Sequence, residues 1–237
     1  MRRIYSTILP AAALVIAACN GKAQQQTQQQ ETSRQVANGG VSANGWTGQI
    51  DPNEARRGQV ISNAKLAMEG KDLHVTTGPA VAYWNPANTA SGDYTVKGTF
   101  KEPKYKDANS HPHPYGIFIG GTKMGTDQMT LVYCEPYGDG RVLVRGFNPT
   151  ATRGVFTLMP PTANAAVAKA AADNSVTQNV QWTVKAGKAT CSVNGAEVAS
   201  YATADIVGPG KLDSLDGVYG IRISHNVEAI VTGFGKQ

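Results

Sequence analysis

The sequence predicts an all-β body made of two packed antiparallel sheets. Three observations carry that prediction. From Lys71 onward short runs alternate apolar and polar residues, Gly, Pro, Asn and Asp interrupt them at close intervals, and helical periodicity is nearly absent. Roughly 190 residues follow the first 45, enough for one substantial core and not clearly for two domains.

The expected strands cover residues 72–76, 81–84, 94–101, 115–120, 129–135, 141–147, 155–159, 218–224 and 227–234, together with a hairpin over 179–201. In residues 94–101, Tyr94, Val96 and Phe100 face inward while the lysines and threonines face out, as in a half-buried antiparallel strand. The hairpin is the most explicit segment. A two-residue turn at Ala186-Gly187 sets Val184 against Ala189, Trp182 against Cys191 and Val180 against Val193, so every apolar residue falls on one side. Asn194-Gly195 supplies a second tight turn and places Val198 opposite Cys191, which therefore points inward. The exception is residues 161–176, where an Ala-rich run favours a short helix or an ordered loop.

The N-terminus is of another kind. Arg2 and Arg3 precede an apolar run too short to span a bilayer comfortably, which ends in Ile16-Ala17-Ala18-Cys19. That is the pattern of a secretory signal peptide over residues 1–18. Ile16-Ala17-Ala18-Cys19 resembles the lipobox of bacterial lipoproteins, which implies a mature chain acylated at Cys19. Two or three acyl chains hold a protein on a membrane almost permanently. Asn20 stands where an Asp favours inner-membrane retention in enterobacteria, so the resemblance points to the outer membrane. Residues 19–45, rich in Gln and small residues, read as a flexible tether, and a coil of about 26 residues spans about 28 Å. The body is then 46–237.

The formal charge of +5 falls to +3 without Arg2 and Arg3, and the remaining cations are scattered, so nucleic-acid binding has no support. With Cys19 acylated, Cys134 and Cys191 remain. An exported chain meets an oxidising compartment, where the two form either a disulfide or a pair of buried thiols. Both readings stay open at this point, and both are structural.

The order Trp182-x-Val184, Val193-Asn194-Gly195, Asp216-Gly217-Val218-Tyr219-Gly220-Ile221-Arg222 resembles the C-terminal half of concanavalin A-like lectin/glucanase domains, in particular the laminin-G-like and 3-keto-disaccharide-hydrolase-like bacterial domains. The resemblance implies a two-sheet jelly-roll sandwich whose last strand returns beside the first, with Trp46-Thr47 opening it. These are turn and core residues, so they speak for fold and leave the site to be argued separately.

Laminarinase-type glycosidases of that fold carry Glu-x-Asp-x-x-Glu on one strand, and no Glu here is followed two positions later by Asp. Alternation puts Glu135 beside Met129, Leu131 and Tyr133 and, through a two-residue Asp139-Gly140 turn, across from Val144; a carboxylate there is a functional acid with a raised pKa, or Pro136 marks a strand end that turns it into solvent. The proline favours the solvent reading. His111 and His113 lie on one side of an extended chain, with His74 or Glu135 as distant partners, too few ligands for a metal centre. No metal or cofactor is expected. Sugar-binding proteins stack rings on pyranose faces and bind hydroxyls with polar side chains. Trp84, His113, Tyr133, Tyr137, Arg145 and Arg222 are the candidates, the two arginines standing out because each projects from an apolar strand.

These readings lead to a lipid-anchored cell-envelope protein with a non-catalytic carbohydrate- or envelope-ligand-binding body, the site being the concave sheet. The alternatives are a glycoside-cleaving enzyme with Glu135 as acid or base and an arginine orienting the substrate, or a purely structural envelope protein.

Overall fold

A computed structural model describes residues 32–105 and 112–237. The signal peptide, Cys19, most of the expected tether and His111 lie outside the described residues. The strands are β1 (Gly40–Val41), β2 (Thr47–Ile50), β3 (Ala64–Glu69), β4 (Asp72–Thr77), β5 (Val81–Ala90), β6 (Tyr94–Glu102), β7 (Tyr115–Thr122), β8 (Thr130–Pro136), β9 (Arg141–Phe147), β10 (Val155–Ala163), β11 (Val176–Lys185), β12 (Lys188–Val193), β13 (Ala196–Ala202), β14 (Gly217–Ile223) and β15 (Glu228–Lys236). Two one-turn helices, α1 (Pro52–Ala55) and α2 (Thr203–Ile206), interrupt them.

They form an eight-stranded sheet in the order β1-β3-β4-β15-β6-β11-β12-β13 and a seven-stranded sheet in the order β10-β9-β8-β7-β14-β5-β2. All pairings are antiparallel except the short β1–β3 contact. The closing strand β15 lies between the early strands β4 and β6. The main core lies between the sheets, where Val96, Phe100, Trp182, Cys191 and Val231 meet Tyr83, Ile117, Ile119, Cys134, Val144 and Ile221. Trp182 is fully buried, and its indole N–H donates to the Ile117 carbonyl of the opposite sheet at 3.0 Å. Cys134 and Cys191 form a disulfide between the layers, with a Cα separation of 6.4 Å.

The β11–β12 hairpin has the expected register; Ala186 in its turn and Asn194 in the β12–β13 turn lie at φ 49° and 51°, each followed by a glycine at positive φ, as paired left-handed turn residues require. One expectation moves by a residue. A bulge after Cys191 sets Ala199 opposite it, and Val198 is half-buried. The Ala-rich run adopts the loop form. β10 carries Pro160 and Pro161 along the sheet edge, where missing donors cost nothing, and residues 164–175 follow as an ordered loop with Val167 buried.

The tether expected to reach residue 45 ends earlier. Arg34 donates to the Thr77 carbonyl at 2.8 Å and its backbone N–H donates to Asn226 Oδ1 at 2.7 Å, β1 pairs with β3, and Ala43 is buried. Low local hydrophobicity hid this, because hydrogen bonds hold much of the segment and only Val41 and the small Ala43 pack against the core.

Candidate functional site

The seven-stranded sheet has a second apolar layer on its outer face. Alternation on β5, β7, β8 and β9 that sends Tyr83, Ile117, Cys134 and Val144 inward sends Trp84, Phe118, Leu131, Tyr133, Leu143 and Phe147 outward, where they are buried too. Residues beyond the strands must therefore cover this face. Asp51 and α1, which follow β2, supply part of that cover.

Two charged residues of the same face are buried with these rings. Glu135 is fully buried and Arg222 is 7% exposed. One Arg222 nitrogen donates to both Glu135 oxygens, at 2.8 and 2.9 Å, while the other donates to Asp51 Oδ2 at 2.5 Å. The guanidinium lies 4.5 Å from the Tyr133 ring centre and 5.7 Å from that of Phe147, in cation–π range. Burial pushes the Glu135 carboxyl up to about 7 against the pull of Arg222. Burial alone would lower Arg222, but Asp51 and Glu135 outweigh it and raise its pKa well above the ordinary value. Glu54 on α1 is raised by burial and by Asp51, and stands 4.0 Å from His225.

Pro136 does not turn Glu135 into solvent. It is the last residue of β8, paired with Val142, and the strand stays buried through it. The following loop has three residues, Gly138 to Gly140, with Tyr137 N–H donating to the Arg141 carbonyl at 2.8 Å. Glu135 therefore faces Leu143 and not Val144.

The other candidates divide. Arg145 projects from the same face, paired with Tyr133 across β8 and β9; its Nε is buried and has no hydrogen-bond partner. Tyr137 is buried beside the β8–β9 loop with the Arg141 guanidinium 4.7 Å from its ring centre. Trp84 is buried beneath the Gly125 turn. His113 is buried with its ring centre 3.7 Å from that of His225, whereas His74 bonds Glu69 and Glu228 on the other sheet, so the distant histidines and Glu135 do not converge. Among the described residues no three His, Cys, Asp or Glu side chains form a metal-binding group.

Beside the Arg222 cluster a groove of about 680 Å³ opens on this face. Phe147 and Met129 form its floor, and Ile50, Pro52, Arg56 and Arg153 contribute to its walls. Phe147 links the two regions, since its ring centre is 5.4 Å from that of Tyr133. Gln49 ties the 125–126 turn to β2, accepting from Gly125 N–H at 3.0 Å and donating to the Thr126 carbonyl at 2.9 Å. Sequence reasoning missed Asp51, Phe147 and the wall residues Ile50, Pro52, Arg56 and Arg153 as parts of a site. The signal for Asp51 was an acid directly before Pro52, a common helix start.

No family model and no curated protein matches the chain. Among solved structures it is similar to a Bacillus subtilis protein of unknown function with a galectin-like fold, at 14% identity and a TM-score of 0.54 over 81% of this chain and 88% of that one. A carbohydrate-binding module, CBM66, from Bacillus subtilis aligns at 11% identity and a TM-score of 0.51, over 84% of this chain and 98% of the module. An endo-β-1,3-glucanase from Pyrococcus furiosus aligns at 11% identity and a TM-score of 0.53, over 81% and 87%. The body is a two-sheet antiparallel jelly roll. At these identities the likeness establishes the jelly roll and leaves its ligand to the site.

Proposed function

We propose that this is a lipid-anchored protein of the bacterial cell envelope, outer membrane rather than inner, whose jelly-roll body binds a carbohydrate without cleaving it. The groove over Phe147 carries the reading. Its volume of about 680 Å³ falls in the usual range for small-ligand sites, roughly 300–1,000 Å³, and it joins an apolar floor to a polar rim, the combination a pyranose with one apolar face requires. Two of the similar structures are a carbohydrate-binding module and a glucanase, which supports a sugar ligand on this fold.

The non-catalytic part rests on Glu135. Its raised pKa suits an acid, but both oxygens accept from Arg222 and the residue is fully buried, so neither oxygen is presented to the groove. The anchor rests on the lipobox-like Ile16-Ala17-Ala18-Cys19.

A glycan array probed with residues 32–237, followed by incubation of each hit and a search for cleavage products, tests the body. Binding without turnover is the expected result; turnover moves the protein to the enzyme reading, and silence across neutral and acidic glycans moves it to a structural role. Mass spectrometry of the native product should find acyl mass on Cys19.

A further inference from the structure

The charges around the groove are unequally satisfied. Lys123 meets Asp213 at 3.1 Å, Arg141 meets Asp139 at 2.7 Å, and Arg222 holds two carboxylates. Arg153 and Arg145 have no carboxylate within ion-pair distance among the described residues, and Arg56 bonds only the neutral Asn53 amide. Arg56 and Arg153 line the groove, where Asp127 is the one acidic residue. Arg145 is two positions from Phe147 on the same face of β9, and its buried Nε lacks an acceptor. Arg153 also holds φ at 60°, in the left-handed region, within the turn that forms this wall.

A guanidinium offers a planar fork of donors that matches a carboxylate. Arg56 and Arg153, two such forks with no carboxylate at ion-pair distance among the described residues, give a groove with an apolar floor a surface short of negative charge, and Arg145 beside it has only the field of Glu135. From this we infer that the groove selects acidic sugar chains, with a uronate carboxylate taken by Arg56 and Arg153 while Phe147 and Met129 receive the apolar face of the ring. The inference rests on the carbohydrate reading above and narrows it to one class of ligand.

Calorimetry on the full chain in detergent tests it with tetramers of galacturonic and mannuronic acid and with the same tetramers after reduction of their carboxyls to alcohols. At least one acid form should bind about tenfold or more tightly than its reduced counterpart, the effect of one charge-assisted fork. The gap should shrink in Arg56→Gln and close in Arg153→Asn, Asn being tolerant of the left-handed turn. Equal affinity for acid and reduced forms, or a gap unchanged in both variants, overturns the selectivity while leaving sugar binding intact. Binding of neutral glycans but not of these acids overturns it as well. Failure of every neutral and acidic glycan overturns the carbohydrate reading itself.

Discussion

Replacing Arg222 with Met tests the architecture of the outer face. The substitution conserves most of the volume and removes the one cation that, among the described residues, faces Glu135 and Asp51 at hydrogen-bonding distance. Glu135, fully buried, would lose the partner of both oxygens. Removing one member of a buried pair costs about 3–5 kcal/mol, mostly because the other charge is stranded. For a body of this size that shifts a urea midpoint by about 1–2 M, readable from tryptophan fluorescence. The pH dependence follows from the Glu135 carboxyl, which burial already pushes up to about 7. A carboxyl raised above its unfolded value stabilises the fold below about pH 4.3 and loses that contribution as pH rises through its folded pKa. Without Arg222 the folded value rises further, so Arg222→Met should cost more at pH 8 than at pH 5. Adding Glu135→Gln should return part of the loss. A cost below about 1 kcal/mol, equal costs at the two pH values, or no recovery in the double variant would refute the claim that this pair is a mutually dependent buried unit.

Three further outcomes are expected. Cys134→Ala with Cys191→Ala opens a cross-link between residues 57 apart in sequence and should lower stability by about 4 kcal/mol on the chain-entropy account, measured by denaturant unfolding against the oxidised protein. Glu102 is buried, its Oε2 has no partner, and burial raises it to about 8 against the pull of Arg34. Its contribution is therefore lost as pH rises toward 8, and Glu102→Gln should match the parent near pH 4 and exceed it by about 2–4 kcal/mol at pH 9. Gly116→Ala would place a Cβ 2.0 Å from the Cys134 carbonyl oxygen, so β7 must shift from β8 at a cost of about 2–3 kcal/mol, seen as a lowered melting temperature.

The parts of the fold legible in the sequence are those whose cause is local. The β11–β12 register follows from a turn dipeptide and a period of two, and the inward Cys191 and outward Arg222 follow from the same alternation. β1 and β3 escaped notice. Ala64–Glu69 reads Ala-Lys-Leu-Ala-Met-Glu, residues with good helix propensity, and only its pairing with β4 makes it a strand. The one-residue slips at Glu135 and Ala199 have a similar origin, because a three-residue loop and a bulge each change register without leaving a strong mark in composition.

The site is harder to read for a reason that also explains its chemistry. Alternation identified Glu135 as a carboxylate on an apolar face, but its stabilising partner lies 87 residues away and the second acid on that partner lies 171 residues away. Pro136 read as a strand end, so sequence reasoning turned Glu135 toward solvent there. The fold instead brings in Arg222 as a counter-ion and lets Asp51 share it. Because Asp51 directly precedes α1, the same guanidinium that neutralises Glu135 also ties down the segment carrying Pro52 and Arg56 into the groove wall. The carboxylate offered as a catalytic candidate is thus connected to the groove wall through Arg222 and Asp51. Arg222→Met should accordingly weaken ligand binding even under conditions where the variant remains folded.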